Sequence, residues 1–316
     1  MNDFSLGLIG YGTIGEVHFK AIHQTQGETG LSVAVVADIN DVNFPKGVRF
    51  TKDYKALLQN PSIDAIAIAT PPDTHFGIAR DALIAGKDVL LEKPPTLTIP
   101  ELEKLEDIST NSERVLFTAF HAMYRPEVDE ARKLLKGETV KSIDIEYREY
   151  VLNYHDADGW IFKKQRGGGG VLIDSGINAL SIVARVLPQF KSTIKNVSFG
   201  YSEGIEVETS VNMKFAFLDS GIGTLNMDWM HKGSEVRKVT FTTNSNIAYT
   251  VDIINAVLRK DNEVVLGSHE NSNEKADQHS EYREIYRDFT NHLRERKSYV
   301  SKKELELVLD AYTTEK

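Results

Sequence analysis

The chain has 316 residues, about twice the usual length of one domain, so two domains are expected. A formal net charge of −9 argues against a basic nucleic-acid-binding face, and the absence of cysteine removes disulfides, thiolate nucleophiles and cysteine-held metals. Hydrophobic residues at 41% and charged residues at 26% supply ample material for two cores.

Met1 to Leu6 carries no basic segment or cleavage pattern and runs straight into a strand. The longest apolar run, near Ile63 to Thr70, is strand-sized. A soluble, cytoplasmic chain that neither enters a membrane nor binds nucleic acid is expected. Leu6–Ile9, Val33–Ala37, Ala65–Ala69, Val89–Leu91 and Val115–Phe117 are continuously apolar, as strands buried on both faces of a parallel sheet are. Between them lie helical patterns at Gly15–Thr25, Tyr54–Gln59, Thr74–Ala85 and Ile99–Ser109. This alternation predicts a doubly wound α/β sheet over 1–122.

From Val140 the pattern changes. Ser142 to Tyr150 alternates, with Ile143, Ile145 and Tyr147 on one side, as in a half-buried antiparallel strand. A glycine run and a helix at Ile177–Leu187 follow. Strands come next at Val197–Tyr201, Val207–Leu218, Ile222–Asp228, Val236–Thr243 and Ile247–Val251. Residues 123–316 are therefore expected to form an α+β domain on an open, mainly antiparallel sheet. Gly267 to Ser280 reads as an exposed loop. Tyr282–Arg296 and Lys302–Tyr312 read as closing helices that can pack back on the first domain. An open sheet face needs covering, so a homo-oligomer is expected.

Gly10-Tyr11-Gly12-Thr13-Ile14-Gly15 follows the first strand and opens the first helix, the context in which G-x-G-x-x-G cradles a dinucleotide pyrophosphate. Asp38 ends the second strand, where a carboxylate accepts hydrogen bonds from the adenosine ribose and repels a 2′-phosphate. NAD is expected, with NADP the alternative. Thr70 and the Glu92-Lys93 pair, at the ends of later strands, complete the candidate cofactor-binding set.

Lys93 lies at the carboxyl edge of the sheet, where open α/β folds bind ligands, although a lone lysine at a strand end is more often a solvated surface residue. Gly167 to Gly170 permits close approach of backbone to a ligand. Asp174, Asn178, Ser181 and Arg185 share one helix face by spacing. Spacing alone favours a cap and a solvated stripe over catalysis there. Glu149 continues the buried side of its strand, and a buried carboxylate needs partners that a polyhydroxylated ligand would supply. His155 and Trp160 follow in a polar loop, and His121 follows the fifth strand. His121, Glu149 and His155 lack the local spacing of a metal site, as does Asp156-x-Asp158-Gly159, so no metal is expected.

At these residues the chain resembles the glucose–fructose oxidoreductase/inositol dehydrogenase family, whose members join a Rossmann domain to an open-sheet domain. The resemblance rests on Gly10-x-Gly12-x-x-Gly15, Glu92-Lys93-Pro94 and Asp174 with a polar partner four residues on. Within that family, Leu91 to Pro95, the His121 segment, Glu149 through Trp160 and Asp174 through Ile182 are similar to the bacterial aldose 1-dehydrogenase branch, of D-galactose and L-arabinose type. Asn178 stands where many family members carry histidine, which favours that branch over inositol-type chemistry.

The resemblance implies oxidation of a cyclic aldose at C1 to its lactone. Asp174 would be the base, Lys93 would stabilise the oxyanion, and Asn178 would orient the hydroxyl. His121, Glu149, His155 and Trp160 would bind the rest of the sugar. Another sugar-ring or inositol dehydrogenase or reductase is the runner-up. A non-catalytic nucleotide-binding regulator is disfavoured because Lys93 and Asp174 are both present.

Overall fold

The computed structural model describes residues 4–41, 47–218, 220–267, 279–300 and 302–314. They divide into two units, the first comprising 1–121 with 279–302 and the second 122–278 with 303–316.

In the first unit β1 (Phe4–Ile9), β2 (Leu31–Ala37), β3 (Arg49–Thr51), β4 (Ala65–Ile68), β5 (Asp88–Glu92) and β6 (Leu116–Ala119) form one parallel sheet in the order β3-β2-β1-β4-β5-β6. This is the doubly wound order that places a crevice where the strand sequence reverses, between β1 and β4. Leu6, Leu8, Ile66, Ile68, Leu90 and Leu91 are fully enclosed, which explains why these strands read as unbroken apolar runs. On one face the sheet carries α2 (Lys55–Gln59), α3 (His75–Ile84) and α4 (Ile99–Ser112), whose Leu57, Ile78, Leu83 and Leu105 join Ile66, Ile68 and Leu91 in one cluster. Elsewhere in this unit α1 (Thr13–Thr29) packs on α8 (Ser280–Glu295), and α8 reaches β6. Tyr282, Ile285, Tyr286, Phe289 and Leu293 make the buried stripe of α8.

The second unit begins with α5 (Pro126–Leu134), a short helix with proline in its first turn that the residue pattern does not announce. Its sheet runs β14-β13-β12-β11-β7-β10-β9-β8. The strands are β7 (Val140–Arg148), β8 (Ser192–Tyr201), β9 (Glu208–Phe217), β10 (Gly221–Asp228), β11 (Val236–Thr243), β12 (Ala248–Asp252), β13 (Val257–Lys260) and β14 (Glu263–Leu266). Only the β7–β10 pairing is parallel, so the sheet is mixed and mostly antiparallel. The short strands β13 and β14 were not anticipated. Of the loop expected at Gly267 to Ser280, residues 268–278 lie outside the described residues.

Between β7 and β8 come α6 (Lys164–Gly167), a π-helical turn at Leu172–Gly176 and α7 (Ile177–Val186); α9 (Lys303–Thr314) packs on β8 and α7. By length and hydropathy Lys164–Val186 reaches what a membrane span needs, contrary to the expectation that no run would. Most of its most apolar stretch, 78%, is buried inside the protein, as in a core helix.

Candidate active site

The glycine turn follows β1 as its spacing requires. Gly10 has φ +89°, and a Cβ there would meet the Ala69 carbonyl at 2.6 Å. A Cβ on Gly15 would stand 2.2 Å from the Gly10 carbonyl, so both glycines are demanded by the chain's own packing. Gly12 differs, because a Cβ there would meet nothing within 4 Å. It is the N-cap of α1 and offers no side-chain cap to the first turn, which begins at Thr13 and Ile14. An uncapped helix start beside open backbone fits a dinucleotide phosphate.

Asp38 closes the turn. Its Oδ2 accepts from Tyr11 N at 2.7 Å and its Oδ1 from Asn40 N at 2.8 Å, so the carboxylate fixes the glycine turn to the end of β2. Each oxygen keeps acceptor capacity for a ribose hydroxyl.

Thr70, after β4, shares a 2.7 Å hydrogen bond with the Thr74 hydroxyl. Its carbonyl lies 2.7 Å from His75 Nε2, whose Nδ1 lies 2.8 Å from the Pro94 carbonyl. His75 thereby ties the loop after β4 to the Lys93-Pro94 segment after β5. It is enclosed, and burial holds its pKa below the ordinary histidine value against the hydrogen bonds to Pro94 and Thr70 that raise it. The sequence reading missed this residue.

Glu92 precedes Lys93 and is also enclosed. His18 Nε2 donates to its Oε1 at 2.9 Å, and Lys93 N donates to its Oε2 at 3.1 Å. The Tyr286 hydroxyl completes the relay 2.7 Å from His18 Nδ1. Burial alone would raise the Glu92 pKa, but the His18 hydrogen bond and the charges of His18, His121 and Lys93 outweigh it and hold it below the ordinary value. His18 was the available signal: it falls on the buried stripe of α1 with Val17, Ala21 and Ile22.

His121 begins a 3-10 turn after β6. Its ring stacks on Tyr282 at 5.4 Å and 13°, and its Nδ1 stands 3.7 Å from Glu281 Oε1. The first unit thus gathers the Gly10–Gly15 turn, Asp38, Thr70, Glu92, Lys93 and His121 at the carboxyl ends of its strands.

In the second unit every residue from Val171 to Val183 is buried except Asp174 and Asn178. Asp174 lies in the π-turn, a distortion frequent at functional positions, and Asn178 Nδ2 donates to the Asp174 carbonyl at 3.2 Å. Asn178 Oδ1 is buried and accepts no hydrogen bond from the described residues.

The four-residue stripe expected from spacing is split. Ser181 is buried and donates to the Asn178 carbonyl at 2.7 Å, while Arg185 pairs with Asp129 at 2.9 Å. Nor does Asp174 cap α7, which has no side-chain cap.

The glycine run also corrects the expectation of an approaching ligand. A Cβ on Gly170 would lie 1.9 Å from the Glu208 carbonyl, and one on Gly169 would lie 2.3 Å from the Tyr312 hydroxyl. The close approach is to the chain itself. Gly170 N donates to both Glu208 carboxylate oxygens at 2.9 Å, and Leu172 N and the Tyr312 hydroxyl donate to Oε1 at 3.1 and 2.7 Å.

Glu149 likewise has protein partners. Arg237 Nη2 donates to Oε2, and the Ser175 hydroxyl donates to Oε1 at 3.2 Å while accepting from Trp229 Nε1 at 3.1 Å. Its burial therefore does not by itself demand a ligand, but the relay ends beside Asp174. His155 and Trp160 lie half-buried on the following loop, Trp160 opening a 3-10 turn.

Residues 4–120 match the profile described as an oxidoreductase family with an NAD-binding Rossmann fold. Over 320 aligned positions, 99% of this chain and 96% of the relative, the sequence is 29% identical to galactose 1-dehydrogenase of Pseudomonas fluorescens. The structure of a D-galactose-1-dehydrogenase from Rhizobium etli superposes with a TM-score of 0.87 at 28% identity, covering 100% of this chain and 96% of that one. Levoglucosan dehydrogenase in complex with NADH and levoglucosan shares the fold, with a TM-score of 0.84 at 20% identity over 99% of this chain and 96% of the other.

Proposed function

We propose that this chain, an NAD-binding sugar oxidoreductase of the GFO/IDH/MocA family, oxidises a cyclic aldose of D-galactose or L-arabinose type at C1 to the lactone. The observation that carries the reading is the pair Asp174 and Asn178, the two breaks in an otherwise buried helical stretch. Two polar side chains one turn apart on such a segment suit a hydroxyl-bearing ligand better than solvent.

The Gly10–Gly15 turn and Asp38 would hold NAD, which would supply the hydride acceptor for C1. Asp174 takes the C1 hydroxyl proton, and the anomeric hydroxyl, more acidic than an ordinary ring alcohol, asks little of a carboxylate base. Asn178 cannot act as an acid or base near neutral pH, and its Oδ1 accepts a hydrogen bond from the sugar. Lys93 stabilises the developing oxyanion, an electrostatic role that needs a fixed cation. Fixing is supplied by Glu92 and His75, which hold the backbone on either side of it. His121, His155 and Trp160 bind the remaining sugar surface, and Glu149 acts at that surface or through Ser175. The enzyme works in the cytoplasm. The polar outer face of its second sheet, with Asp144, Asn212, Thr224 and Asn226, joins it into a homo-oligomer.

The test is NAD reduction across aldoses and inositols, with Lys93→Met and Asp174→Asn beside the unmodified chain. D-galactose and L-arabinose are expected to be oxidised. D-glucose is expected to be poorer, because its C4 hydroxyl points the other way and leaves a buried partner unpaired. Each substitution is expected to lower kcat by roughly 10²–10⁴-fold with NAD affinity little changed. Brisk oxidation of myo-inositol without these aldoses would overturn the C1 assignment.

A further inference from the structure

His18 lies on α1 three residues beyond Gly15 and is fully enclosed. Its neighbours on the buried stripe of that helix, Val17, Ala21 and Ile22, are aliphatic. Packing alone would favour another aliphatic residue here, because an imidazole in the core costs free energy unless its ring nitrogens find partners. Both do. Nε2 stands 2.9 Å from Glu92 Oε1, and Nδ1 stands 2.7 Å from the Tyr286 hydroxyl. The rings of Tyr282 and Tyr286 meet the imidazole edge-on, with centroids 5.0 and 5.7 Å away at 87° and 85°, so its plane is fixed as well.

Three elements therefore converge on one side chain: α1, which carries it, the end of β5 through Glu92, and α8 through its two tyrosines. The pKa of Glu92 is held below the ordinary value, chiefly by His18, and an ionised carboxylate only accepts, so the proton between the two sits on Nε2. The other carboxylate oxygen accepts from Lys93 N at 3.1 Å. One carboxylate is thus clamped by a donor from α1 on one side and by the Lys93 backbone on the other. The same α1 begins at the glycine turn that fits a dinucleotide phosphate, about 9 Å along the helix axis from His18 at 1.5 Å per residue.

We propose that His18 is a positioning residue that links the cofactor to Lys93: when NAD seats at the start of α1, the helix holds the Glu92 carboxylate through His18, and Glu92 holds the Lys93 backbone. The proposal rests on the reading of Lys93 as oxyanion stabiliser. It goes beyond that reading by making the placement of Lys93 depend on the helix that receives the cofactor.

Two amide substitutions separate the two bonds of the ring. The Gln side chain reaches as far as Nε2, so His18→Gln keeps a donor for Glu92. The shorter Asn side chain reaches only as far as Nδ1, so His18→Asn keeps a partner for Tyr286 and loses Glu92. The direct readout is hydrogen exchange of the Lys93 amide, followed by NMR in the full chain with and without NAD. In the unmodified chain NAD is expected to slow that exchange about fivefold or more. The slowing is expected to persist in His18→Gln and to vanish in His18→Asn, with NAD bound in both. Slowing of equal size in both variants would mean that NAD shields Lys93 directly, and would overturn the proposal. So would an unmodified chain whose Lys93 exchange ignores NAD, an outcome that needs no variant to fold.

Turnover gives a second readout. His18→Asn is expected to lower kcat for the oxidised aldose about tenfold with KM within about twofold, the signature of an interaction that matters after substrate is bound, while His18→Gln stays within about threefold of the parent. Equal losses in the two variants, or losses that simply follow a lowered melting temperature, would count against the link. An unmodified chain that oxidises no aldose would sink the functional reading alone. In that event the Lys93 exchange still decides the link, supporting it if the two variants differ and overturning it if they coincide.

Discussion

At Gly10 to Gly15 a glycine-rich turn leads from β1 into α1, and at Gly167 to Gly170 another leads from α6 into the π-turn and α7. In sequence the two look alike, since each is a glycine cluster at the start of a helix. In the first, the chain's own packing uses Gly10 and Gly15 and leaves Gly12 facing open space. In the second, Glu208 fills the corresponding place, its carboxylate accepting from Gly170 N and Leu172 N. A helix start attracts an anion in either case. One unit supplies that anion from its own chain, and in the other, on our proposal, the place takes a cofactor phosphate. Glycine therefore marks a close approach of backbone, and only the surroundings say what approaches.

The largest effect expected from this contrast is on stability. Gly170→Ala would drive a Cβ to 1.9 Å from the Glu208 backbone carbonyl, which cannot yield as a side chain can. A loss above about 4 kcal/mol is expected, enough to prevent the second unit from folding. Gly12→Ala introduces no clash, and Gly12 has a φ of −79° that alanine tolerates. Its melting temperature is expected to match the parent while NAD affinity drops about tenfold or more, roughly 1.4 kcal/mol. Circular dichroism melts and NAD titrations of the two variants measure both. A folded, stable Gly170→Ala chain would break the comparison.

This contrast also shows what the residue pattern could and could not reveal. The parallel strands were legible because burial on both faces leaves an unbroken apolar run, as at Ala65–Ile68. The first glycine turn was legible because its neighbours in sequence, a strand and a helix, are its neighbours in space. The second was misread because its partners, Glu208 and Tyr312, lie far along the chain. The same applies to Glu149, whose partner Arg237 comes from β11. The Asp174–Asn178 relation was legible from a spacing of four, whereas Ser181 and Arg185 left that stripe because tertiary burial and Asp129 claimed them.

A smaller effect separates the buried carboxylates of the two units. Burial raises the Glu208 pKa, and its donors (the Tyr312 hydroxyl and backbone N–H groups) are neutral and do not offset that. Glu92 faces the same burial but has His18 beside it, and its pKa is lowered. The signs are opposite. A raised carboxyl pKa contributes stability that is fully present below its unfolded value, about 4.3, and lost as pH rises through the folded value. A lowered one contributes stability present above the unfolded value and lost as pH falls through the folded one.

Amide hydrogen exchange near Gly170 to Leu172 is therefore expected to slow, after correction for intrinsic rates, as pH falls from neutrality toward about 4.3, while exchange around Lys93 quickens below that point. Glu208→Gln removes the titration and is expected to flatten the first trend while keeping an acceptor for Tyr312. Glu208→Ala strands the donors and is expected to cost about 1–3 kcal/mol. Matching pH trends in the two segments would contradict the assignment.

The smallest effect concerns which dinucleotide the open turn accepts. Asp38 holds Tyr11 N and Asn40 N, so it is both a brace for the glycine turn and a fixed negative charge at the end of β2. The nearby cation Lys52 is paired with Asp41 at 2.8 Å, which leaves it poorly placed to offset a 2′-phosphate. Two substitutions separate the roles. Asp38→Asn keeps an acceptor for Tyr11 N and removes the charge; Asp38→Ser removes the charge and shortens the brace. Both are expected to lower the ratio of NAD to NADP efficiency by about tenfold, the scale of one partly screened like-charge contact. Asp38→Ser alone is expected also to weaken NAD binding, because its shorter side chain holds the turn less well. Steady-state rates with each cofactor at fixed aldose give the ratio, and binding titrations give the brace. A ratio unchanged in Asp38→Asn would mean that shape, and not charge, sets the preference, and the carboxylate would then serve the turn alone.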